Sequence, residues 1–246
     1  NMTHRFRDPI LLAKRLISEN SIGPIEAIED CCVYKISTDM LPPHFWSVET
    51  AGGGVDYTNF IHTADRILFI LGEGQQRTGE SLNYDYESGV TDNKHHRCNV
   101  NDSAIIYAGI TGAISQIKVK FELQWLNKNS NRNPKDFIKI IGESGQININ
   151  VLSGEVTVTR CGKEAIYNTY PDSKPNEDNF IRALKKVHNA FHQMLEGDAH
   201  LIPSPRELEK IHEFMESHLK LSTRHRKQSI AAQRLPAALA DGRKDH

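Results

Sequence analysis

Twelve histidines stand in this chain of 246 residues, and three arrangements of them have spacings that chemistry can use. His62 is the one histidine in the stretch Val55–Leu71, which reads as a helix. An imidazole with its ordinary pKa of about 6.5 passes a proton at neutral pH, but an isolated one on a half-buried helix also serves as a plain hydrogen-bonder. Thr58 lies four residues earlier, one helical turn away on the same face, where it can donate or accept a hydrogen bond but cannot hold charge. Asp56, two residues from Thr58, points to a different face. His188 and His192 share the i, i+4 spacing of metal-binding helices, yet no Glu follows His188 as in H-E-x-x-H, and both read as the edge of an apolar stripe. His95-His96-x-Cys98 falls in a polar Gly/Asn/Asp-rich stretch with no second ligand pair, which reads as a solvated loop. The four cysteines have no C-x-x-C spacing, and adjacent Cys31 and Cys32 point to opposite faces of a strand. Free thiols and a reducing, cytoplasmic setting are expected.

The elements that must position these residues follow from periodicity. Pro9 opens a helix that Gly23-Pro24 stops, and residues 25–36 alternate as a strand. After Leu41-Pro42-Pro43 a loop runs to Gly52-Gly53-Gly54, then Val55–Leu71 reads as a helix closed by Gly72. A short strand at Ser81–Tyr86 precedes strands at Ala104–Ala108, Ala113–Leu123, Phe137–Ile141, Gln146–Val151 and Glu155–Arg160. Two helices close the pattern. Glu177–Glu196 carries a stripe of Phe180, Leu184, Val187, Phe191 and Met194; Pro205–Leu221 carries Leu208, Ile211, Met215, His218 and Leu219. The prediction is an α+β fold: an open, mostly antiparallel sheet with helices on one face, the other face available for oligomerisation. Val119, Phe121 and Leu123 are the strip expected on that open face, making a homo-oligomer. Residues 1–230 read as one domain and 231–246 as an appended tail. A net charge of -1 and the lack of a basic face argue against nucleic acid as a partner, and no apolar run reaches the roughly 18–20 residues of a membrane span.

Three stretches together resemble the glucose-fructose oxidoreductase / inositol dehydrogenase / MocA family. His4-Arg5-Phe6-Arg7-Asp8-Pro9, followed by a helix and Ile22-Gly23-Pro24-Ile25, resembles its crossing into the substrate domain, where an "R-F-x-P" leads to a helix and then "G-x-I". Trp46, Gly52-Gly53-Gly54, His62 and Asp65 resemble "W…GGG-x-x-x-D-x-G-x-H-x-x-D". Ile140-Ile141-Gly142-Glu143-Ser144-Gly145-Gln146-Ile147-Asn148-Ile149 resembles its "I-x-G-x-x-G-x-I-x-I" hairpin. The resemblance implies an NAD- or NADP-dependent oxidoreductase acting on a sugar, cyclitol or polyol, with this chain as the substrate-side, C-terminal half. It puts His62 in the place of the catalytic histidine and Thr58 in that of an aspartate beside it. Phe60 replaces a small residue, which would narrow the approach to His62. Arg5 and Trp46 fall to the substrate side, Trp46 as a stacking ring or as a core anchor. No G-x-G-x-x-G and no Glu-Lys-Pro element is present, so the nicotinamide is expected on a domain outside this sequence. The alternative reading is a non-catalytic sugar-binding or dimerising module.

Overall fold

The computed structural model describes residues 2–36, 54–72, 80–85, 103–111, 116–127, 130–170 and 177–216. A 3-10 turn, Thr3–Phe6, leads into α1, Asp8–Ser18, which Pro9 starts. β1 is Ile25–Ile36, α2 Gly54–Thr58, α3 Phe60–Leu71, β2 Glu80–Asp85, β3 Ser103–Thr111 and β4 Gln116–Asn127. β5 Lys135–Gly142, β6 Gly145–Asn150, β7 Glu155–Arg160 and β8 Lys163–Asn168 form a meander, followed by α4, Glu177–Glu196, and a last helix α5 over 205–216. Ser204 caps α5 reciprocally: its hydroxyl accepts from the Glu207 amide and its own amide donates to the Glu207 carboxylate.

The eight strands lie in the order β2-β3-β4-β1-β5-β6-β7-β8. Only β1 and β4 run parallel among these pairs; all other neighbours are antiparallel. The fold is the predicted α+β sheet with helices on one face. On that face the strands alternate strictly, presenting Ile28 and Cys32, Ile106 and Ala108, Ile138 and Ile140, and Ile147 and Ile149, all buried. α1, α2, α3 and α5 cover them, and Phe60 and Phe214 close on Phe121 from above.

Several expectations are corrected by this packing. Val119, Phe121 and Leu123 are 2%, 0% and 1% exposed, because β4 turns them under the helices. The open face of β4 carries Lys118, Lys120, Glu122 and Gln124 instead, so that apolar strip cannot be an oligomer contact. The apolar stripe foreseen for α4 is also displaced. α4 buries Asn179, Ala183 and Ala190 and leaves Phe180, Leu184 and Phe191 exposed, since only small side chains fit where it lies over Phe6. Val55–Leu71 is two helices rather than one, separated at Asn59. β8 is absent from the expectation because its six residues, all exposed, have no alternating pattern to betray it. Trp46, Gly52, Gly53, His95, His96, Cys98 and the tail after 230 lie outside the described residues.

Candidate functional site

His62 is built into place by the break at Asn59. Gly54 starts α2 with φ of 76°, the left-handed region in which a side chain would be strained. Four residues on, the Thr58 hydroxyl donates to the Gly54 carbonyl at 2.7 Å, bonding back onto its own helix. Asn59 then turns its amide down onto the sheet, accepting from Trp125 Nε1 at 3.0 Å and donating toward Cys32 Sγ at 3.7 Å. This pins the start of α3. Its first turn, with the His62 amide on the Asn59 carbonyl at 3.0 Å, aims His62 at the 3-10 turn of residues 3–6.

There His62 stacks on His4, ring centroids 5.0 Å apart and planes 15° from parallel. His4 in turn stands edge-on to Tyr34, at 6.5 Å and 88°. Nδ1 of both His4 and His62 is buried without a hydrogen-bond partner among the described residues. Burial, reinforced by nearby positive charges that include Arg66, lowers the His62 pKa to about 4. Burial first and Arg7 next push His4 well below the usual histidine range. Both rings are therefore neutral at pH 7: each can accept a proton or a donor hydrogen, and His62 is a weak base.

Beneath them lies a buried ion network. Arg66, one turn beyond His62 on α3, is fully buried and forks onto both oxygens of Asp30 and onto Oδ1 of Asp136. Asp136 also accepts from the Tyr34 hydroxyl at 2.8 Å and from Arg7 at 3.2 Å. Two guanidinium groups and two carboxylates balance in charge, which is what lets them sit in the core. Asp136 is held below the usual carboxylate range by Arg66 and Arg7, which overcome its burial. Burial pushes Asp30 up to about 6, still ionised at neutral pH, against the pull of Arg66. Tyr34 is thereby oriented, its proton committed to Asp136, with its ring edge against His4.

The residues foreseen from sequence separate. His62 is at this site. Thr58 is one turn away, but its proton goes to Gly54 and no hydrogen bond joins it to His62. Phe60 does not narrow any approach to His62, because its ring is fully buried 5.1 Å from Phe121. Arg5 is 3% exposed and chelates the Asp65 carboxylate through Nε and Nη2, with further contacts to the Leu201 carbonyl at 3.3 Å and Glu207 at 3.5 Å. Those contacts tie the 3-10 turn to α3 and α5, and Arg5 lines a cavity of about 230 Å³ on the far side, with Lys14, Phe69 and His200. His4, Tyr34, Arg66, Asp30 and Asp136 were missed. The signal for three of them was available: Asp30 and Asp136 fall in phase with buried apolar neighbours, and Arg66 directly precedes the apolar stretch Ile67–Leu71 on the same helix.

The crossover between the parallel strands β1 and β4 carries α2 and α3, and residues 37–53, which lead into α2, lie outside the described residues.

No protein-family model matches the sequence, and no curated protein matches it. Solved structures do. Levoglucosan dehydrogenase in complex with NADH superposes with a TM-score of 0.69 at 15% identity, over 91% of this chain and 63% of that one. An oxidoreductase from Agrobacterium radiobacter in complex with NAD+, L-tartaric acid and magnesium gives 0.64 at 16% identity, over 89% and 61%. A super-repressor mutant of Gal80p from Saccharomyces cerevisiae gives 0.61 at 16%, also over 89% and 61%. The chain thus spans about three fifths of the length of these proteins. Over that length its fold is shared by levoglucosan dehydrogenase, by the Agrobacterium radiobacter oxidoreductase and by the super-repressor mutant of Gal80p.

Proposed function

We propose that this chain is the substrate-side half of an NAD(P)-dependent oxidoreductase of a sugar, cyclitol or related polyol, with His62 accepting the proton from the substrate hydroxyl. The observation that carries the reading is His62 itself: half-buried, neutral, with an unpartnered ring nitrogen, on a fold shared with a sugar dehydrogenase. A neutral imidazole in a low-dielectric site can take the hydroxyl proton directly, and Tyr34 and His4 hold its ring in position. The reading gives this chain the proton; the hydride and its nicotinamide belong outside the described residues. Association of copies through the open sheet face belongs to the same proposal. Half-buried Ile105, Tyr107, Phe137 and Ile141 lie there among lysines, asparagines and threonines, a mixed surface suited to a partner.

One observation favours a second reading, a polyol-binding module without catalysis. Thr58 turns its hydroxyl back to Gly54, so no carboxylate raises the basicity of an imidazole held at about 4. The test is ligand titration of the chain with hexoses, cyclitols and linear polyols, following in wild type and variant alike the backbone amide resonances of residues 3–6 and 60–66. A saturable shift in wild type that is lost in His62→Gln supports the enzyme reading. Binding that survives His62→Gln unchanged supports the module, and no response to any polyol refutes both.

A further inference from the structure

α4 carries a second pair of histidines far from His62 in sequence and outside its network. His188 and His192 are both exposed, their rings 4.5 Å apart at 66° and their Nε2 atoms 3.3 Å apart. We propose that the pair is a bidentate site for a borderline divalent transition-metal ion of the zinc, nickel and copper class.

The geometry is what a chelate requires. A tetrahedral ion with metal–nitrogen bonds of about 2.0–2.1 Å holds two imidazole nitrogens about 3.3–3.4 Å apart. The observed separation of 3.3 Å falls at that bite, and it is the same nitrogen, Nε2, of each ring that makes the approach. The distance is long for a hydrogen bond between two neutral imidazoles, which prefers about 2.9–3.0 Å. The helix fixes the spacing, since residues four apart stand one above the other on one face. Neutral imidazoles select ions by the Irving–Williams order and disfavour calcium and magnesium, which want oxygen. No group of three histidines, cysteines, aspartates or glutamates comes together among the described residues. The chelate is therefore two-coordinate from the protein, with the remaining positions open to water or another ligand.

The placement gives the site a consequence. Among the described side chains of α4 only Asn179, Ala183 and Ala190 are buried, with Val187 packed partly beside them, so its second half is weakly anchored. An ion bridging adjacent turns ties residues 188–192 into helix in a segment that packing holds loosely.

Nickel and zinc titrations by calorimetry, on the wild-type chain at pH 7.5 and in a non-coordinating buffer, provide the test. One site per chain is expected, with Kd on the order of 1–100 µM, since two ligands supply about half of what a four-ligand zinc site does. Copper should bind more tightly than nickel, and magnesium not at all. His188→Gln and His192→Gln should each weaken nickel at least about tenfold, because one imidazole alone does not chelate. The double variant should lose that site while its far-ultraviolet dichroism stays as in wild type, the residues being exposed. Copper spectra should show two equivalent nitrogens in wild type and not in the double variant. An isotherm unchanged by the double substitution would overturn the proposal, as would copper spectra with the same nitrogens in both proteins.

Discussion

His62→Gln removes one imidazole from the stacked pair, and the structure sets the size and sign of the change in acid sensitivity. The unfolded ring binds its proton below pH of about 6.5, whereas the folded ring, buried and among positive charges, does so only near 4. The unfolded state therefore holds more protons in between, and the stability that the neutral ring contributes is present above 6.5 and lost as pH falls toward 4. Between pH 7 and 5 this linkage amounts to about 1.8 kcal/mol, and solvent at the partly open ring brings it to about 1–2 kcal/mol. The whole protein will not show that slope cleanly. Asp30, raised to about 6, takes up a proton in the folded state first and works in the opposite direction over the same range. The difference between wild type and His62→Gln cancels Asp30. Urea unfolding at pH 7, 6 and 5 should show the variant less sensitive to acid by about 1–2 kcal/mol. Identical pH dependence in both proteins would mean that the ring titrates as freely folded as unfolded, and the buried-pair argument would fail.

Other outcomes rest on the same geometry. Arg66→Met strands Asp30 in the core, Asp136 keeping Arg7 and Tyr34, and should cost about 3–5 kcal/mol by chemical denaturation; a loss under about 1 kcal/mol would contradict the buried network. Thr58→Asp puts a carboxylate one turn from His62 at a half-buried position and should raise the His62 midpoint from about 4 by about one pH unit, read by NMR titration; no movement would show the two side chains are not electrostatically coupled. Gly154 has φ of 77° and a Cβ there would lie 2.1 Å from the Tyr170 ring, so Gly154→Ala should cost about 2–4 kcal/mol in stability, and a melting point equal to wild type would contradict the turn.

How far the sequence could be read depended on whether a feature repeats. Ile138 and Ile140, or Ile147 and Ile149, announce strands because one face is buried along its whole length. The hairpin at Glu143-Ser144 is as predicted, with Gly142 paired to Gly145. Which face of β4 is covered was not legible, because an alternating strand looks the same whether its apolar side meets helices or a partner. α4 misled for a related reason: Phe180, Leu184 and Phe191 form the larger apolar stripe, but Ala183 and Ala190 form the one that fits beneath Phe6. At the site, His62 stood out by its surroundings in sequence. His4 did not, since nothing along the chain says that residues 4 and 62 will stack. Arg5 shows the converse: a charged residue in a recognisable motif turns out to be occupied by Asp65.

The one parallel pairing among the described strands also constrains how the chain can assemble. β5 to β8 are successive hairpins, each strand meeting the next within a few residues, and can zip in microseconds to milliseconds. β1 is made early in sequence yet sits mid-sheet, joined to β4 with Ala27 opposite Lys118 and to β5 with Ala27 opposite Ile141. It must wait for partners roughly 90 to 115 residues downstream, and long loop closure comes before any of its contacts form. On a ribosome adding about 5–20 residues per second, β1 stays unpaired for several seconds, with Asp30 a solvated carboxylate awaiting Arg66. The charge that is balanced in the finished core thus opposes edge-to-edge aggregation while the strand waits, because Asp30 is the ionised residue on the face that also carries Ile28 and Cys32.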